Sequence, residues 1–314
     1  MDRLVVMFGG SGFLGRYVAQ RLLAAGARVR FAERDPRRAW FLKPQGGLGQ
    51  TQFVAADVTR PDSVARAVAG ADAVINLVGS FDDMDAVNGE GAGNVAKAAA
   101  AAGVPVLLHV SALGADAGAR SAYARSKAAG EAAVRAAFPH AVILRPSIIF
   151  GREDKFINRF AGLIRALPVT PVLRGGARFQ PVYVGDVADV AVRALADSRA
   201  HAGRTYALGG PQVLTMTQIH EWIAREIGRT PRLIELPDIA GAALARLTGW
   251  APGAPISWDQ WLMLQHDNVV PADEPGLAAF GVTPTPLASV APGWLVQYRR
   301  HGRFGGLRET AQSR

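Results

Sequence analysis

Tyr123-Ala124-Arg125-Ser126-Lys127 places a phenol and an amine four residues apart. On a helix that spacing puts both side chains on one face. A phenol with a pKa of about 10 is a poor base at neutral pH, and a neighbouring ammonium stabilises its phenolate. Such a pair could exchange a proton with a carbonyl or alcohol. Ser111, upstream of the pair, offers a hydroxyl to orient the same substrate oxygen. A Tyr-x-x-x-Lys string is common by chance, so its meaning depends on the elements that present it.

Those elements alternate. Leu4–Phe8 is an unbroken apolar run of the kind a buried parallel strand needs, and Leu14, Val18 and Leu22 follow at helical spacing. Further strands are expected at 28–32, 53–56, 73–78, 106–110 and 141–144. Helices are expected from Pro61, up to Gly103, and over 121–137. Strict alternation predicts a Rossmann-type, doubly wound parallel sheet in an α/β fold, its ligand at the carboxyl ends of the strands. Residues 1–150 form this expected domain. After Arg145-Pro146 the prolines multiply, and 151–300 reads as a smaller α+β C-terminal lid interleaved with the sheet domain. From His301 onward a basic, glycine-rich tail is expected.

Between the first strand and its helix stands Gly9-Gly10-Ser11-Gly12-Phe13-Leu14-Gly15, a G-x-x-G-x-x-G turn. Glycines there let the backbone approach a pyrophosphate, and the helix N-terminus adds free N–H groups. The expected ligand is a nicotinamide dinucleotide, held by the backbone of Gly9, Ser11, Gly12, Phe13, Leu14 and Gly15. The second strand ends in Glu33-Arg34-Asp35, with Arg37 and Arg38 close behind. An acid there selects the ribose hydroxyls of NAD(H), an arginine the 2′-phosphate of NADP(H). Glu33 and Arg34 compete, and NADP(H) is favoured with NAD(H) as the alternative. Asp57-Val58 ends the third strand, where the carboxylate either meets the adenine or caps a helix. Leu77, Val78 and Gly79 end the fourth and would line a ribose. With hydride exchanged at the nicotinamide, Tyr123, Lys127 and Ser111 become candidate catalytic residues, and Lys127 could also hold the ribose.

Composition excludes other classes. With no cysteine the chain has neither disulfides nor thiolate metal sites, and no metal centre is expected. The formal charge is +9, but only four of 35 basic residues are lysine and the arginines are scattered, so nucleic acid is not expected as a partner. No apolar run reaches the ~18 residues of a spanning helix, and the first strand begins almost at Met1. The expected location is a bacterial cytoplasm, with a peripheral position on the inner membrane. The stretch Ile239–Trp250 is an apolar helix candidate with Arg246 as its one charge. It would be either a core element or a surface for a membrane or membrane-bound partner.

These motifs together resemble an extended or atypical short-chain dehydrogenase/reductase. Arg145–Gly151 belongs to that general resemblance, and His109-Val110-Ser111-Ala112-Leu113, the Tyr123–Glu131 stretch, Phe150–Phe156, Gln180–Val187, Asp267–Val270 and Phe280–Thr285 are similar to one branch. That branch comprises the NADPH-binding accessory subunit of respiratory complex I (alpha-subcomplex subunit nine) and its bacterial relatives. The resemblance adds Pro146 and Ile148 to the cofactor-binding residues. It implies a firmly held NADPH and a supporting role in a respiratory complex or quinone pathway. The retained Tyr123 and Lys127 leave open a reductase acting on an apolar carbonyl or alcohol. Oligomeric state is not legible.

Overall fold

The apolar runs form the strands they predict. In the computed structural model, which describes residues 3–251, 253–300 and 302, β1 (Leu4–Phe8) is buried throughout. It is followed by α1 (Phe13–Ala24), which turns Leu14, Val18 and Leu22 inward. The series continues with β2 (Arg28–Glu33), β3 (Thr51–Ala55), α2 (Pro61–Val68) and β4 (Ala73–Asn76). It then runs through α3 (Gly91–Ala101), β5 (Leu107–Val110), α4 (Ala122–Ala137) and β6 (Val142–Pro146). Local chemistry sets the boundaries. Ser121 caps α4 by accepting from the Ala124 amide, and Gly103 follows α3 at φ +66°.

The strands lie parallel in the order Thr205–Leu208, β6, β5, β4, β1, β2, β3. The chain leaves β1 toward β2 and β3, then returns to β4 on the other side of β1. That reversal is the switch point at which open α/β sheets bind ligands, and the glycine turn sits on it.

The chain divides into two units. The first holds residues 1–146, 184–208 and 270–283; the second holds 147–183, 209–269 and 284–314. In the first, helix Val184–Ala196 packs on α1, and Asp189 pairs with Arg21 at 2.6 Å. Its core joins Val6, Phe8, Val74 and Leu107 of the sheet to Val95 of α3 and Val134 of α4. The second unit is α+β; among the described residues it has three two-stranded sheets, with helices Ile157–Ala166 and Met216–Glu226 around Phe150, Ile157, Phe179 and Ile219, while helix Asp238–Thr248 joins Ile256 and Trp261 in a separate cluster. Among the described residues no helix is long and apolar enough to cross a membrane. The tail expected from His301 lies outside the described residues, Gly302 excepted.

Candidate functional site

The glycine turn is built to bring backbone to a ligand. Gly9 takes φ +80°, and a Cβ there would stand 3.2 Å from the Leu77 carbonyl carbon, so the ends of β1 and β4 touch. A Cβ on Gly15 would collide with the carbonyl oxygens of Gly9 and Gly10. Gly12 is the N-cap of α1 and has no capping side chain, and the first turn of α1 holds no acid. The amides of that first turn and a positive dipole end are thereby offered with no acid of the helix upon them. Phe13 and Leu14 begin the helix, with Leu14 buried. The cradle, its glycines and its uncapped amides fit a dinucleotide pyrophosphate.

At the end of β2, the Ser11 amide donates to Glu33 Oε1 at 2.7 Å, joining strand to turn. Arg34 is exposed beside it. Arg37 is already engaged. It grips Asp35 with Nε at 2.9 Å and Nη2 at 3.1 Å, and this hydrogen bond holds the Asp35 carboxyl below its usual range. Asp57 takes the local role. Its Oδ1 accepts from the Thr59 amide and hydroxyl at 3.0 and 2.8 Å. Burial works against its charge, but those bonds prevail and leave its pKa lowered. Val58 is buried against Gly91 of α3.

The turn after β4 is held by a polar relay that the motifs do not reveal. The Val78 amide donates to Asn76 Oδ1 at 3.1 Å, and Asn76 Nδ2 lies 3.3 Å from His109 Nδ1 on β5. Nδ1 is therefore the acceptor, and His109 is a neutral imidazole. Burial, then the charges of Lys127 and Arg135, hold its pKa well below the usual value. Leu77 and Val78 are fixed by this relay, with Gly79 exposed just beyond. A second missed residue, Asn88, ties the following loop to α4. It accepts from the Ser80 amide at 2.9 Å and donates to Ser126 Oγ at 3.0 Å. The adjoining Phe81 ring stacks on Tyr123, centroids 4.4 Å apart and planes 14° from parallel.

Tyr123 and Lys127 do share the inner face of α4, but their electrostatics depart from the motif's expectation. Burial pushes the Tyr123 hydroxyl up to about 12. Lys127 is fully enclosed; its Nζ donates to the Val110 carbonyl at 2.9 Å, and burial brings it down to about 8 against the opposing effect of Glu131. Burial is thus what sets the direction of the Tyr123 shift. Ser111 is buried at the end of β5, and its Oγ has no hydrogen-bond partner among the described residues, an orphaned hydroxyl beside the strand ends. Pro146 ends β6 and accepts from the Leu113 amide at 2.9 Å. Ile148 belongs to the second unit, where its amide donates to Asn268 Oδ1 at 3.1 Å. Among the described residues no cluster could hold a metal ion.

Residues 5–209 match the NAD dependent epimerase/dehydratase family. The chain is 39% identical to the mitochondrial NADH dehydrogenase [ubiquinone] 1 alpha subcomplex subunit 9 of Mus musculus, over 90% of this chain and 77% of that one. It is 35% identical to a ceramide reductase of Caulobacter vibrioides, over 75% and 74% of the two chains. Its fold is that of an NADPH-dependent quinone oxidoreductase from Escherichia coli, with TM-score 0.76 at 21% identity, covering 93% of this chain and 99% of that one.

Proposed function

Because this chain belongs to the NAD dependent epimerase/dehydratase family, we propose that it is an NADP(H)-binding accessory or assembly protein of a respiratory complex, in the manner of its alpha subcomplex subunit 9 relatives. The observation that carries the accessory reading is the state of the proton-transfer pair. Tyr123 is stacked under Phe81 with its hydroxyl at about 12, and the Lys127 ammonium is turned to a backbone carbonyl. Such a pair holds a ligand better than it moves a proton at neutral pH. Gly9, Ser11, Gly12, Phe13, Leu14 and Gly15 would bind the pyrophosphate. Val58, Leu77, Val78, Gly79, Pro146 and Ile148 would line the nucleosides, and Asp57 would face the adenine with its second oxygen. Lys127 would reach the nicotinamide ribose, and Arg34 favours the 2′-phosphate of NADP(H).

A specific observation favours a second reading, a reductase. The orphaned Ser111 hydroxyl is the group that would orient a carbonyl oxygen, and Tyr123 would deliver its proton. The nicotinamide, when bound, supplies the hydride. Complementation separates the two. A deletion strain carrying Tyr123→Phe should regain complex I activity in full, while Lys127→Met should restore it poorly because the ribose is lost. If Tyr123→Phe fails although the protein is folded and loaded, the reductase is the better account.

Attachment is proposed through helix Asp238–Thr248. Its inner face is core: Gly241 and Ala245 are buried, and Gly241 abuts Trp261. Leu244 is half-buried with them. The opposite face leaves Ile239 and Leu247 exposed at 85% and 73%, and Trp250, just past the helix end, is exposed at 83%. An apolar stripe on a net basic chain suits an anionic membrane surface or a subunit seated there. Ile239→Ser with Leu247→Ser and Trp250→Ser should move the protein from the membrane pellet to the supernatant at low salt, with unchanged thermal melting. A wild-type protein found wholly in the supernatant, and free of any membrane complex, would remove this reading.

A further inference from the structure

We propose that Phe81 is a positioning residue for Tyr123: its ring lies flat on the phenol, shuts water from it, and keeps it a hydrogen-bond donor to a ligand's carbonyl oxygen. This rests on the dinucleotide reading of the site and deepens it. The two rings stand 4.4 Å apart, centroid to centroid, with planes 14° from parallel. A near-parallel aromatic pair gains more than the area it buries. Phe81 is 48% exposed, so it is a surface ring laid on its neighbour rather than a core side chain. It comes from the loop between β4 and the helical turn Asp85–Glu90, whereas Tyr123 stands at the start of α4.

One polar chain ties the two backbones together and so holds the stack in place. Ser80, next to Phe81, donates its amide to Asn88 Oδ1 at 2.9 Å, and its carbonyl accepts from Asn88 Nδ2 at 2.8 Å. The same Nδ2 donates to Ser126 Oγ at 3.0 Å, and that hydroxyl donates to the Tyr123 carbonyl at 2.9 Å. Beyond Phe81, the Asp82 amide donates to Ser80 Oγ at 3.0 Å, and Asp83 turns the chain at φ +49°. The charges around the pair do not favour a phenolate. Asp82 and Asp83 are exposed acids in the Phe81 loop, and Lys127 Nζ on α4 donates to the Val110 carbonyl. Burial is the cause that raises the Tyr123 hydroxyl. Under its cover the phenol stays neutral at physiological pH, and a neutral phenol donates to a carbonyl while keeping its proton.

Tyrosine labelled with carbon-13 at Cζ reads the cover by nuclear magnetic resonance, with the Tyr123 signal assigned by its loss in Tyr123→Phe. In wild type that signal should not titrate between neutral pH and about 10.5, beyond the ordinary tyrosine midpoint. Phe81→Ala admits water to the phenol and should make Tyr123 about tenfold or more stronger as an acid, with its midpoint moving toward about 10. Phe81→Trp restores a stacked ring and should silence the signal again. Both variants should melt close to wild type, because the replaced ring is half exposed. A Tyr123 that stays silent in folded Phe81→Ala overturns the cover. So does a Phe81→Trp protein that titrates as the alanine variant does, or a wild-type Tyr123 that already titrates near about 10. Calorimetry with NADPH on the same wild-type sample separates the failures. If NADPH binds while the cover fails, the dinucleotide site stands; a folded wild type that binds no dinucleotide overturns both.

Discussion

Glu131→Ala is expected to lower folding stability by about 3 kcal/mol, the lower end of the cost of breaking a buried ion pair. Glu131 sits on the inner face of α4 with its side chain 1% exposed, and it accepts both Nε and Nη2 of Arg145 at 2.8 Å. Arg135, one turn along, adds a third contact at 3.2 Å. Removing the carboxylate leaves the Arg145 guanidinium on β6 without its bidentate partner, with only the longer-range charge of Glu274 in opposition. Arg145 is a quarter exposed, so water repays part of the loss. Glu131→Gln keeps the shape and one acceptor, and should cost about half as much. Urea unfolding followed by circular dichroism reads both, and a midpoint unchanged in the alanine variant would mean the pair contributes nothing net. The same carboxylate raises Lys127 against its burial, so Glu131→Gln should drive Lys127 below about 8. Dinucleotide affinity that depends on the ammonium then declines at a lower pH than in wild type. In wild type it is lost as pH rises through about 8.

Gly15→Ala should do more damage than its single methyl suggests. The atoms it would strike, the carbonyl oxygens of Gly9 and Gly10, are backbone and cannot rotate aside. Helix α1 would have to move off the turn, at a cost of about 3 kcal/mol for an overpacked site, and dinucleotide binding should vanish with the geometry. Gly12→Val is the informative contrast. A Cβ at Gly12 meets only the Gly9 oxygen, at 3.2 Å, and its φ of −72° suits any residue. That variant should melt close to wild type and still fail to bind, because its side chain fills the pyrophosphate's place. Thermal melting paired with calorimetry separates the two glycines. A Gly15→Ala protein that melts and binds as wild type does would refute the packing argument.

The sheet domain was legible because parallel strands buried on both faces write themselves as apolar runs, and because Gly103 and Ser121 mark helix ends in the local sequence. The motifs also located the glycine turn and the paired faces of Tyr123 and Lys127. What they could not convey was environment. Nothing in Tyr-x-x-x-Lys states that Phe81 covers the phenol or that Lys127 Nζ turns to Val110, so desolvation reversed the expected direction of the Tyr123 shift. Arg34, Arg37 and Arg38 look equivalent in sequence, yet Asp35 removes one of them. Segment Pro36–Gln45 buries only Ala39 and Leu42, too short a pattern to announce an element, and so it gave no signal. The relay from His109 through Asn76 depends on β4 and β5 being neighbours, a fact of topology.

The division of the chain has a consequence for its biosynthesis. The strand that covers β6, Thr205–Leu208, and the helix that covers α1, Val184–Ala196, leave the ribosome long after the glycine turn they complete. Pro275, whose carbonyl accepts the Ala207 amide, emerges later still. Until then the nascent sheet ends at β6 with a row of unpaired amides and carbonyls, an edge on which another chain can add a strand. The first unit cannot close as an N-terminal module before those later residues emerge. A gene cut after residue 146 delivers that open edge permanently, whereas the intact chain seals it with residues encoded on the far side of an entire insertion. The open edge thus lasts, during synthesis, from the emergence of β6 to that of Thr205–Leu208 and Pro275.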